Sequence, residues 1–390
     1  MVYRKGGFSM KKTVAFLLAL CLLWTPALAV EALPEETFRL SCDAAVLMER
    51  MSGEVIYGKN ASEHRAIASV TKIMTLLLVA EALERGEISL GTVVTASARA
   101  ASMGGSQVWL REGEQFTVSE MIKCVAVVSA NDCAVALAEH LAGSEETFVA
   151  RMNKRAGELG LQDTSFTNCT GLFENENHYS SAYDVAVMSR ELLRHDFIKD
   201  YTTIWMDTIR DGTSQLVNSN LLVRHYAGTT GLKTGFTTKA MYCVAASAQR
   251  DGTEYIAVVL HDETSDQRFQ SARTLMDYAF ANYTTASLRP PEALAPVLVQ
   301  LGTADSVQPV FEGSEKILLE RSALGAIRYE TQVAESVVAP VSAGERLGSL
   351  RVYTGEKLLA EVPIVAENDV GRLNLWQIFQ SLLLSFFGAE

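Results

Sequence analysis

The sequence predicts an α+β protein in which a larger domain of mixed helices and strands precedes a small all-β domain. Up to about residue 283, strand-like runs are interspersed with runs whose apolar residues repeat at helical spacing. From Arg289 onward, Pro290, Pro291 and Pro296 precede short strand-like runs. A chain of 390 residues, with 48% hydrophobic and 21% charged residues, is long enough for two or three globular domains.

The first 29 residues are typical of a secretory signal peptide. Four basic residues precede an apolar run at 14–23, and Ala27-Leu28-Ala29 offers the small residues at which signal peptidase cuts. We therefore expect residues 1–29 to be removed, so that the mature chain begins at Val30. The alternative is a retained membrane helix, but this apolar run is short for a bilayer span.

The charge and the cysteines exclude several classes of partner and site. The formal net charge of −12 becomes −16 once the basic leader is removed, so nucleic acid is not an expected partner. Five cysteines remain, without metal-ligand or redox spacing, and we predict buried free thiols rather than disulfides. They are Cys42, Cys124, Cys133, Cys169 and Cys243.

The elements of the first domain follow from local patterns. Alternation over 44–57 predicts two strands joined at Ser52-Gly53, and helical spacing over 72–85 predicts a helix that stops at Gly86. Further helices are predicted at 118–128, 132–141, 145–159 and 184–193, and strands at 240–248 and 255–260.

The C-terminal part divides into a β-rich domain and a tail. Strands are predicted at 297–301, 307–311, 316–319, 327–333, 351–353 and 358–365. We expect a first domain at 36–283, a second at 288–369 and an amphipathic helix at 371–390. The helix places Asn374, Gln377 and Ser381 on a narrow polar face, which favours a position at a membrane surface. Packing on the second domain or on another copy of the chain is the alternative.

Ser69 and Lys72 form a candidate nucleophile and base at the start of the predicted helix 72–85. Residues three positions apart share a helix face, so the hydroxyl and the amine lie within reach of each other. Lys72 can accept a proton near neutral pH only if burial or a neighbouring cation, such as Lys233, lowers its pKa. A lone Ser-x-x-Lys arises by chance, as in the second copy at 9–12, so the later motifs decide its meaning.

The second motif is Ser129-Ala130-Asn131, just before a predicted helix. The Ser129 hydroxyl can relay a proton between Lys72 and a leaving amine, and Asn131 can donate its amide to a substrate carbonyl. Taken alone, the stretch would read as a helix cap, a task for which Asp132 is also suited.

The third motif, Lys233-Thr234-Gly235, has the pattern of a strand that borders a cleft. Lys233 and Thr234 can bind a carboxylate, and Gly235 lets a substrate approach the backbone closely. The backbone N–H groups of Ser69 and Phe236 are candidates for an oxyanion hole. The candidate substrate-binding set is therefore Asn131, Lys233, Thr234, Gly235 and Phe236.

These three motifs, in this order, are the signature of serine enzymes that penicillin acylates. Residues 40–283 resemble the low-molecular-mass penicillin-binding proteins that are serine-type D-alanyl-D-alanine carboxypeptidases. The resemblance extends over 68–75, 104–106, 129–132, 152–153, 177–184 and 231–237. It implies a serine β-lactamase/transpeptidase-like α/β (α+β) fold, an antiparallel sheet with a helical subdomain. The β-rich segment and the tail resemble the family's appended domain and membrane anchor.

The resemblance also implies a reaction and a location. Ser69 would attack the bond between the two terminal D-alanines of a peptidoglycan pentapeptide, form an acyl-enzyme and release D-alanine. Lys72 would be the base, Ser129 the proton shuttle, and Lys233 and Thr234 the carboxylate ligands. Penicillin would be a covalent inhibitor, and no metal or organic cofactor would be called for. The enzyme would act outside the bacterial cytoplasmic membrane, on its outer face or secreted, and would limit cross-linking of the cell wall.

Three alternative functions share these motifs. A class A β-lactamase would need a carboxylate that activates the deacylating water, for which Glu174 and Glu176 are candidates. A penicillin-binding sensor would acylate without turnover, which the intact motifs argue against. A D,D-endopeptidase would use the same groups on cross-linked peptides.

The chain departs from the family pattern at Ile67, where Pro is frequent, and at Phe236, where some members have His. Neither change removes a catalytic group. His178 and Asp184 match the pattern, and we predict structural roles for both: the histidine as a hydrogen bonder that orders a loop, the aspartate as a helix cap.

Overall fold

The computed structural model describes residues 31–172, 175–290, 292–313 and 316–386, which form two compact units. The first unit contains residues 31–287 and 316–324, and the second contains residues 288–313 and 325–386. The predicted leader lies outside the described residues. The sequence analysis assigned 316–319 to the second domain. The structure assigns this strand to the first unit, because it pairs there with residues 283–287.

The helices are α1 (Lys72–Glu84), α2 (Ala98–Ala101), α3 (Val118–Val127), α4 (Asn131–Ala142), α5 (Glu145–Glu158), α6 (Ala182–Leu192), α7 (Lys199–Thr202), α8 (Leu222–His225), α9 (Ser265–Asn282) and α10 (Leu375–Phe386). The strands of the first unit are β1 (Ala44–Glu49), β2 (Val55–Lys59), β3 (Val93–Thr95), β4 (Gln115–Thr117), β5 (Met206–Ile209), β6 (Ser214–Val217), β7 (Thr229–Thr237), β8 (Met241–Arg250), β9 (Thr253–Asp262) and β10 (Tyr283–Ser287). The remaining strands are β11 (Val297–Gln300), β12 (Ser306–Val307), β13 (Pro309–Phe311), β14 (Lys316–Glu320), β15 (Ile327–Val333), β16 (Ser336–Val338), β17 (Arg346–Thr354) and β18 (Lys357–Ala366).

A five-stranded antiparallel sheet, in the order β2-β1-β9-β8-β7, forms the centre of the first unit. Both faces are covered: along β1, Val46 and Met48 pack with the helical group, and Ala45 and Leu47 pack with α9. Burial on both faces explains the apolar character of the central strands. In the described part of the chain, β7 has a strand neighbour on one side only.

The helical group on the first face contains the predicted helices. The helices expected at 72–85, 118–128, 132–141, 145–159 and 184–193 correspond to α1, α3, α4, α5 and α6, with ends that differ by at most two residues. The central helix α1 is buried around most of its circumference, with Lys72 itself fully buried. This burial brings the predicted base into the core of the unit.

The sequence analysis assigned no element to residues 265–282, which form α9, the longest helix of the described chain. The signals were nevertheless present. The Thr264 hydroxyl accepts from the N–H of Gln267 as an N-cap, and Phe269, Ala272 and Leu275 have helical spacing and are buried against the sheet.

The second unit is built from strands, apart from its C-terminal helix. One sheet has the order β12-β11-β16 and a second the order β13-β18-β17-β15. Val297, Val299, Val341, Leu347 and Val370 contribute to its core. This agrees with the predicted all-β character, although β16 was missed and the run 307–311 forms two short strands.

The tail helix α10 exposes large apolar side chains. Leu375, Trp376 and Phe379 are 86%, 65% and 50% exposed, whereas Asn374 caps the helix by accepting from the N–H of Gln377. Among the residues that the structure describes, no helix is both long enough and apolar enough to cross a bilayer.

Candidate active site

Ser69 lies in a 3₁₀ turn, Ala68–Thr71, that leads directly into α1. Ala68 has φ +46°, a left-handed conformation that is uncommon outside glycine. Two glycines let the neighbouring backbone press against this turn. A Cβ on Gly171 would lie 1.8 Å from the Ala68 carbonyl oxygen, and one on Gly235 would lie 2.8 Å from that of Ile67. Contacts from both sides hold the strained turn and fix the position of Ser69.

The amine of Lys72 is buried and aimed at the Ser69 hydroxyl. Its Nζ lies 2.9 Å from Ser69 Oγ and donates to the carbonyl oxygen of Thr170 at 2.8 Å. Burial lowers the pKa of Lys72 to about 7, against the smaller opposing influences of Cys169 and Asp132. A substantial fraction of this lysine is therefore neutral near pH 7 and able to accept a proton.

Ser129 and Asn131 lie in the turn that begins α4. Ser129 has φ +63° and is 5% exposed, and its Oγ has no hydrogen-bond partner among the described residues. Asn131 donates from its side chain to the carbonyl oxygen of Gly104 at 2.8 Å, while its Oδ1 is likewise unpartnered in the described chain. Buried polar atoms without partners are rare, so the unpartnered oxygens of Ser129 and Asn131 are candidates for contact with a bound molecule.

Asp132 does not cap α4 as the sequence analysis suggested. The N-cap residue is Ala130, which makes no side-chain bond. The Asp132 carboxylate accepts from the N–H of Cys133 in the first turn of α4 at 3.0 Å, and also from the N–H groups of Val108 and Leu110 at 3.0 Å each. Asp132 therefore holds the loop at 104–110 against the Ser129 turn.

The third motif lies on β7, the edge strand. Lys233 and Thr234 are 1% and 5% exposed, whereas Phe236 is 51% exposed and packs against Tyr242. The pKa of Lys233 is lowered well below its usual value by burial first and then by the charges of Lys72 and Arg268. Of the two causes that the sequence analysis offered for a lowered Lys72 pKa, burial or a neighbouring cation such as Lys233, burial is the main one, as it is for Lys233 itself.

Neighbouring contacts connect the three motifs. A Cβ on Gly235 would lie 3.1 Å from the Ser69 backbone nitrogen, so β7 passes directly beside the nucleophile. On the other side, a Cβ on Gly105 would lie 2.9 Å from Asn131 Nδ2 and 3.0 Å from Leu172, which follows Gly171. The structure thus brings the predicted residues to one cleft.

Comparisons with known proteins agree with this arrangement. Residues 30–264 match the D-alanyl-D-alanine carboxypeptidase family, and residues 292–372 match the C-terminal domain of penicillin-binding protein 5. The chain is 40% identical over 370 residues to D-alanyl-D-alanine carboxypeptidase DacF of Bacillus subtilis (strain 168), covering 93% of this chain and 95% of that protein.

Solved structures show the same similarity. Penicillin binding protein 5 from Haemophilus influenzae is 28% identical, with a TM-score of 0.76 over 88% of this chain and 100% of that chain. Penicillin-binding protein D2 from Listeria monocytogenes in its ampicillin-bound form is 30% identical, with a TM-score of 0.58 over 63% of this chain and 99% of that chain.

The chain belongs to the D-alanyl-D-alanine carboxypeptidase family. It is a serine-type D-Ala-D-Ala carboxypeptidase and a penicillin-binding protein, with the family's fold of a mixed α/β unit and a C-terminal β domain. The fold class, the family and the reaction expected from the motifs are confirmed. The five cysteines are buried free thiols, as predicted.

Sequence reasoning missed the loop that surrounds the amine of Lys72 in this carboxypeptidase. Asn168 Oδ1 accepts from the N–H groups of Thr170 and Gly171 at 3.1 and 2.7 Å. Thr75 donates from its hydroxyl to the Cys169 carbonyl oxygen at 2.7 Å, so the loop is also attached to α1. A backbone carbonyl carries no sequence signal, which is why the role of Thr170 could not be read from the chain.

His178 attaches the far end of this loop to the nucleophile turn. The N–H of Thr167 donates to His178 Nδ1 at 3.1 Å, so Nε2 carries the ring proton and donates to Thr71 Oγ1 at 2.8 Å. Thr71 lies between Ser69 and Lys72 in the sequence. The structure supports the predicted role of His178 as a hydrogen bonder that orders a loop.

Asp184 does not cap α6, contrary to our expectation. The cap is Ser181, whose hydroxyl accepts from the Asp184 N–H, and the Asp184 carboxylate accepts from Asp163 N–H at 2.9 Å and Thr164 Oγ1 at 2.7 Å. Asp184 therefore binds the beginning of the loop, and its role is still structural.

His178 should make the stability of the carboxypeptidase depend on pH. Burial lowers its pKa from 6.5 to about 4, so below pH 6.5 the unfolded chain binds a proton that the folded chain excludes. The stabilising contribution is complete above pH 6.5 and is lost as the pH falls toward 4. Between pH 7 and pH 5 we expect the contribution of His178 to the free energy of unfolding to fall by about 2 kcal/mol.

Urea unfolding of the wild type and of His178→Gln measures this contribution. The difference in unfolding free energy between the two proteins should shrink as the pH falls from 7 to 5. A difference that stays constant over this range would show that His178 is not buried in its neutral form.

Proposed function

We propose that Ser69 is the nucleophile of this carboxypeptidase and that Lys72 is its general base. The observation that carries the proposal is the 2.9 Å contact between Lys72 Nζ and Ser69 Oγ, made by an amine whose pKa burial lowers to about 7. A neutral amine at this distance can take the hydroxyl proton as the hydroxyl attacks.

In acylation, Ser69 Oγ attacks the carbonyl carbon between the two terminal D-alanines and its proton passes to Lys72 Nζ. The backbone N–H groups of Ser69 and Phe236 are suited to bind the resulting oxyanion, at roughly 3 kcal/mol per donor. The carbon–nitrogen bond then breaks as Lys72 returns the proton to the leaving amine through the Ser129 hydroxyl. D-alanine leaves and the rest of the peptide remains as an ester on Ser69.

In deacylation, a water molecule attacks the ester carbonyl and gives a proton to Lys72. The ester bond breaks, Ser69 Oγ recovers its proton, and the shortened peptide leaves. The same base serves both steps, which supports a hydrolase without a separate carboxylate. Glu176 is exposed in the structure, and Glu174 lies outside the described residues.

The free edge of β7 supports a binding mode for the substrate. An extended peptide can pair with an edge strand through its backbone, and Asn131 on the opposite wall can donate to a substrate carbonyl. We expect Lys233 and Thr234 to bind the terminal carboxylate. Penicillin also carries a carboxylate, and the ampicillin-bound relative from Listeria monocytogenes supports covalent inhibition of this chain by β-lactams.

The proposed substrate is the peptidoglycan pentapeptide. Removal of its terminal D-alanine destroys the acyl donor of cross-linking, so the enzyme would limit cross-links during wall synthesis and remodelling. The basic and apolar segment at 1–29 supports export across the bacterial cytoplasmic membrane. The apolar surface of α10, with Trp376 65% exposed, supports attachment to the outer face of that membrane.

Intact-protein mass spectrometry with benzylpenicillin, together with an assay of D-alanine release from a D-Ala-D-Ala peptide, tests the assignment. Wild type and Ser89→Ala, an exposed serine in a turn, should give a lasting penicilloyl adduct and release D-alanine. Ser69→Ala should do neither, because the attacking oxygen is absent.

Each of the other outcomes would indicate a different function or a different nucleophile. An adduct that clears within seconds without D-alanine release would indicate a β-lactamase. A lasting adduct without release would indicate a sensor, and a Ser69→Ala variant that still forms the adduct would remove Ser69 from the mechanism.

The pKa of Lys72 predicts the pH dependence of acylation. Because its neutral form predominates above about pH 7, the second-order rate constant for benzylpenicillin should rise through pH 7 and level off above it. Lys72→Arg, which stays charged, should reduce the rate constant by about 10²- to 10⁴-fold. Stopped-flow acylation between pH 5.5 and 8.5 measures both, and a flat profile would contradict the role of Lys72.

The tail predicts membrane binding that depends little on lipid charge, since Arg372 is the only cation in 371–390. The protein should float with phosphatidylcholine vesicles as well as with vesicles rich in phosphatidylglycerol. Replacing Leu375, Trp376 and Phe379 by Ser should abolish flotation without changing the activity in solution. Gln380→Ala on the same helix serves as the control. Equal flotation of the triple variant would exclude this surface as the anchor.

A further inference from the structure

We propose that Ser219 is a further substrate-binding residue and that the Ser219 and Thr234 hydroxyls together receive the terminal carboxylate of the substrate. The inference deepens the proposed function, because it rests on β7 as the strand that binds that carboxylate. Ser219 belongs to none of the three motifs. It lies in the segment between β6 and α8.

The backbone of Ser219 is fixed between both walls of the cleft. Its N–H donates to the carbonyl oxygen of Val127 at 3.1 Å, two residues before Ser129. Its neighbours are buried: Asn218 donates to the Ile204 carbonyl oxygen at 2.7 Å, and Asn220 donates to that of Gly231 on β7 at 3.1 Å. Such bonding on both sides leaves the Ser219 side chain with little freedom of position.

The hydroxyls of Ser219 and Thr234 are 2.7 Å apart. One O–H hydrogen is used in the bond between them, and the other hydroxyl keeps a hydrogen to donate outward. When a carboxylate binds, each hydroxyl can rotate to donate to one of its oxygens. Ser219 is half-buried and Thr234 is 5% exposed, so Ser219 is the more accessible member of the pair.

The basic side chains near this pair already have other hydrogen-bond partners, which makes the two hydroxyls important for binding an anion. Arg268 already donates from Nη1 to the carbonyl oxygens of Gly235 and Cys243, at 3.1 and 3.3 Å, and so braces β7. Lys233 is 1% exposed and donates to the Thr234 carbonyl oxygen. We therefore assign two directional hydrogen bonds with the carboxylate to the hydroxyl pair.

The test compares a peptide that ends in D-Ala-D-Ala with the same peptide bearing a C-terminal carboxamide. Release of D-alanine and of D-alaninamide gives kcat/KM for each substrate. Rates are divided by the fraction of protein that benzylpenicillin acylates, so that partial misfolding does not affect them. The proteins are wild type, Ser219→Ala, Ser219→Thr and Thr213→Ala, the last a matched loss of an exposed hydroxyl on the neighbouring β5–β6 hairpin.

Ser219→Ala should lower kcat/KM for the acid about tenfold, the effect of one hydrogen bond to a charged group, and change it less than twofold for the amide. Ser219→Thr, which keeps a hydroxyl, should stay within about threefold of wild type on both substrates. Thr213→Ala should match wild type. In a Thr234→Val background, the additional effect of Ser219→Ala should fall below threefold, because the pair acts as a unit.

Two results would overturn the proposal. One is an equal loss of kcat/KM on the acid and amide peptides in Ser219→Ala, which would make Ser219 a structural residue of the cleft wall. The other is an unchanged rate on the acid. Failure of the proposed function would be seen separately, as a wild-type protein that releases no D-alanine or forms no Ser69-dependent adduct.

Discussion

The exclusion of water from the Lys72 amine is the constraint on which the site depends. With the usual lysine pKa of about 10.4, only about one molecule in 2,500 would be neutral at pH 7. With the pKa near 7, about half of the molecules are neutral, a gain of about 10³ in available base. No rearrangement of Ser69 could offset such a deficit, because a protonated lysine has no lone pair to accept the proton.

A buried amine is stable only where its hydrogens find acceptors, and this requirement explains the surrounding loop. The Thr170 carbonyl oxygen supplies one acceptor and the Ser69 oxygen another. The loop in turn is bonded through Asn168, through His178, and through Glu145, which accepts from the Cys169 N–H at 3.2 Å. These contacts belong to the machinery of the base as much as the lysine itself does.

Local patterns were sufficient for much of the fold and for the choice of the candidate reactive groups. Helix α1 could be predicted because its apolar spacing is long and ends at Gly86. Ser69, Lys72 and Lys233 could be chosen as candidates because each belongs to a motif, and the three motifs follow one another in a fixed order. Ser219 and Thr170 could not be predicted, because each is identified by long-range contacts that no local pattern encodes. Asp132 was only partly understood for the same reason: besides the Cys133 N–H at the helix start, its carboxylate accepts from the N–H groups of Val108 and Leu110, which lie 24 and 22 residues earlier.

The edge strand β7 must allow peptide binding without promoting aggregation. An unpaired strand edge can pair with any extended chain and is a risk for aggregation. Around the active site, β7 is approached at Gly235 by the turn that carries Ser69, and at Thr234 by Ser219, so its polar backbone lies within a cleft and not on an open surface. Gly235 is essential to this closure, because a Cβ there would come within 2.8 Å of the Ile67 carbonyl oxygen. The small size of that residue therefore lets one strand end lie directly behind Ser69 while offering, in the proposed binding mode, a place for an extended peptide.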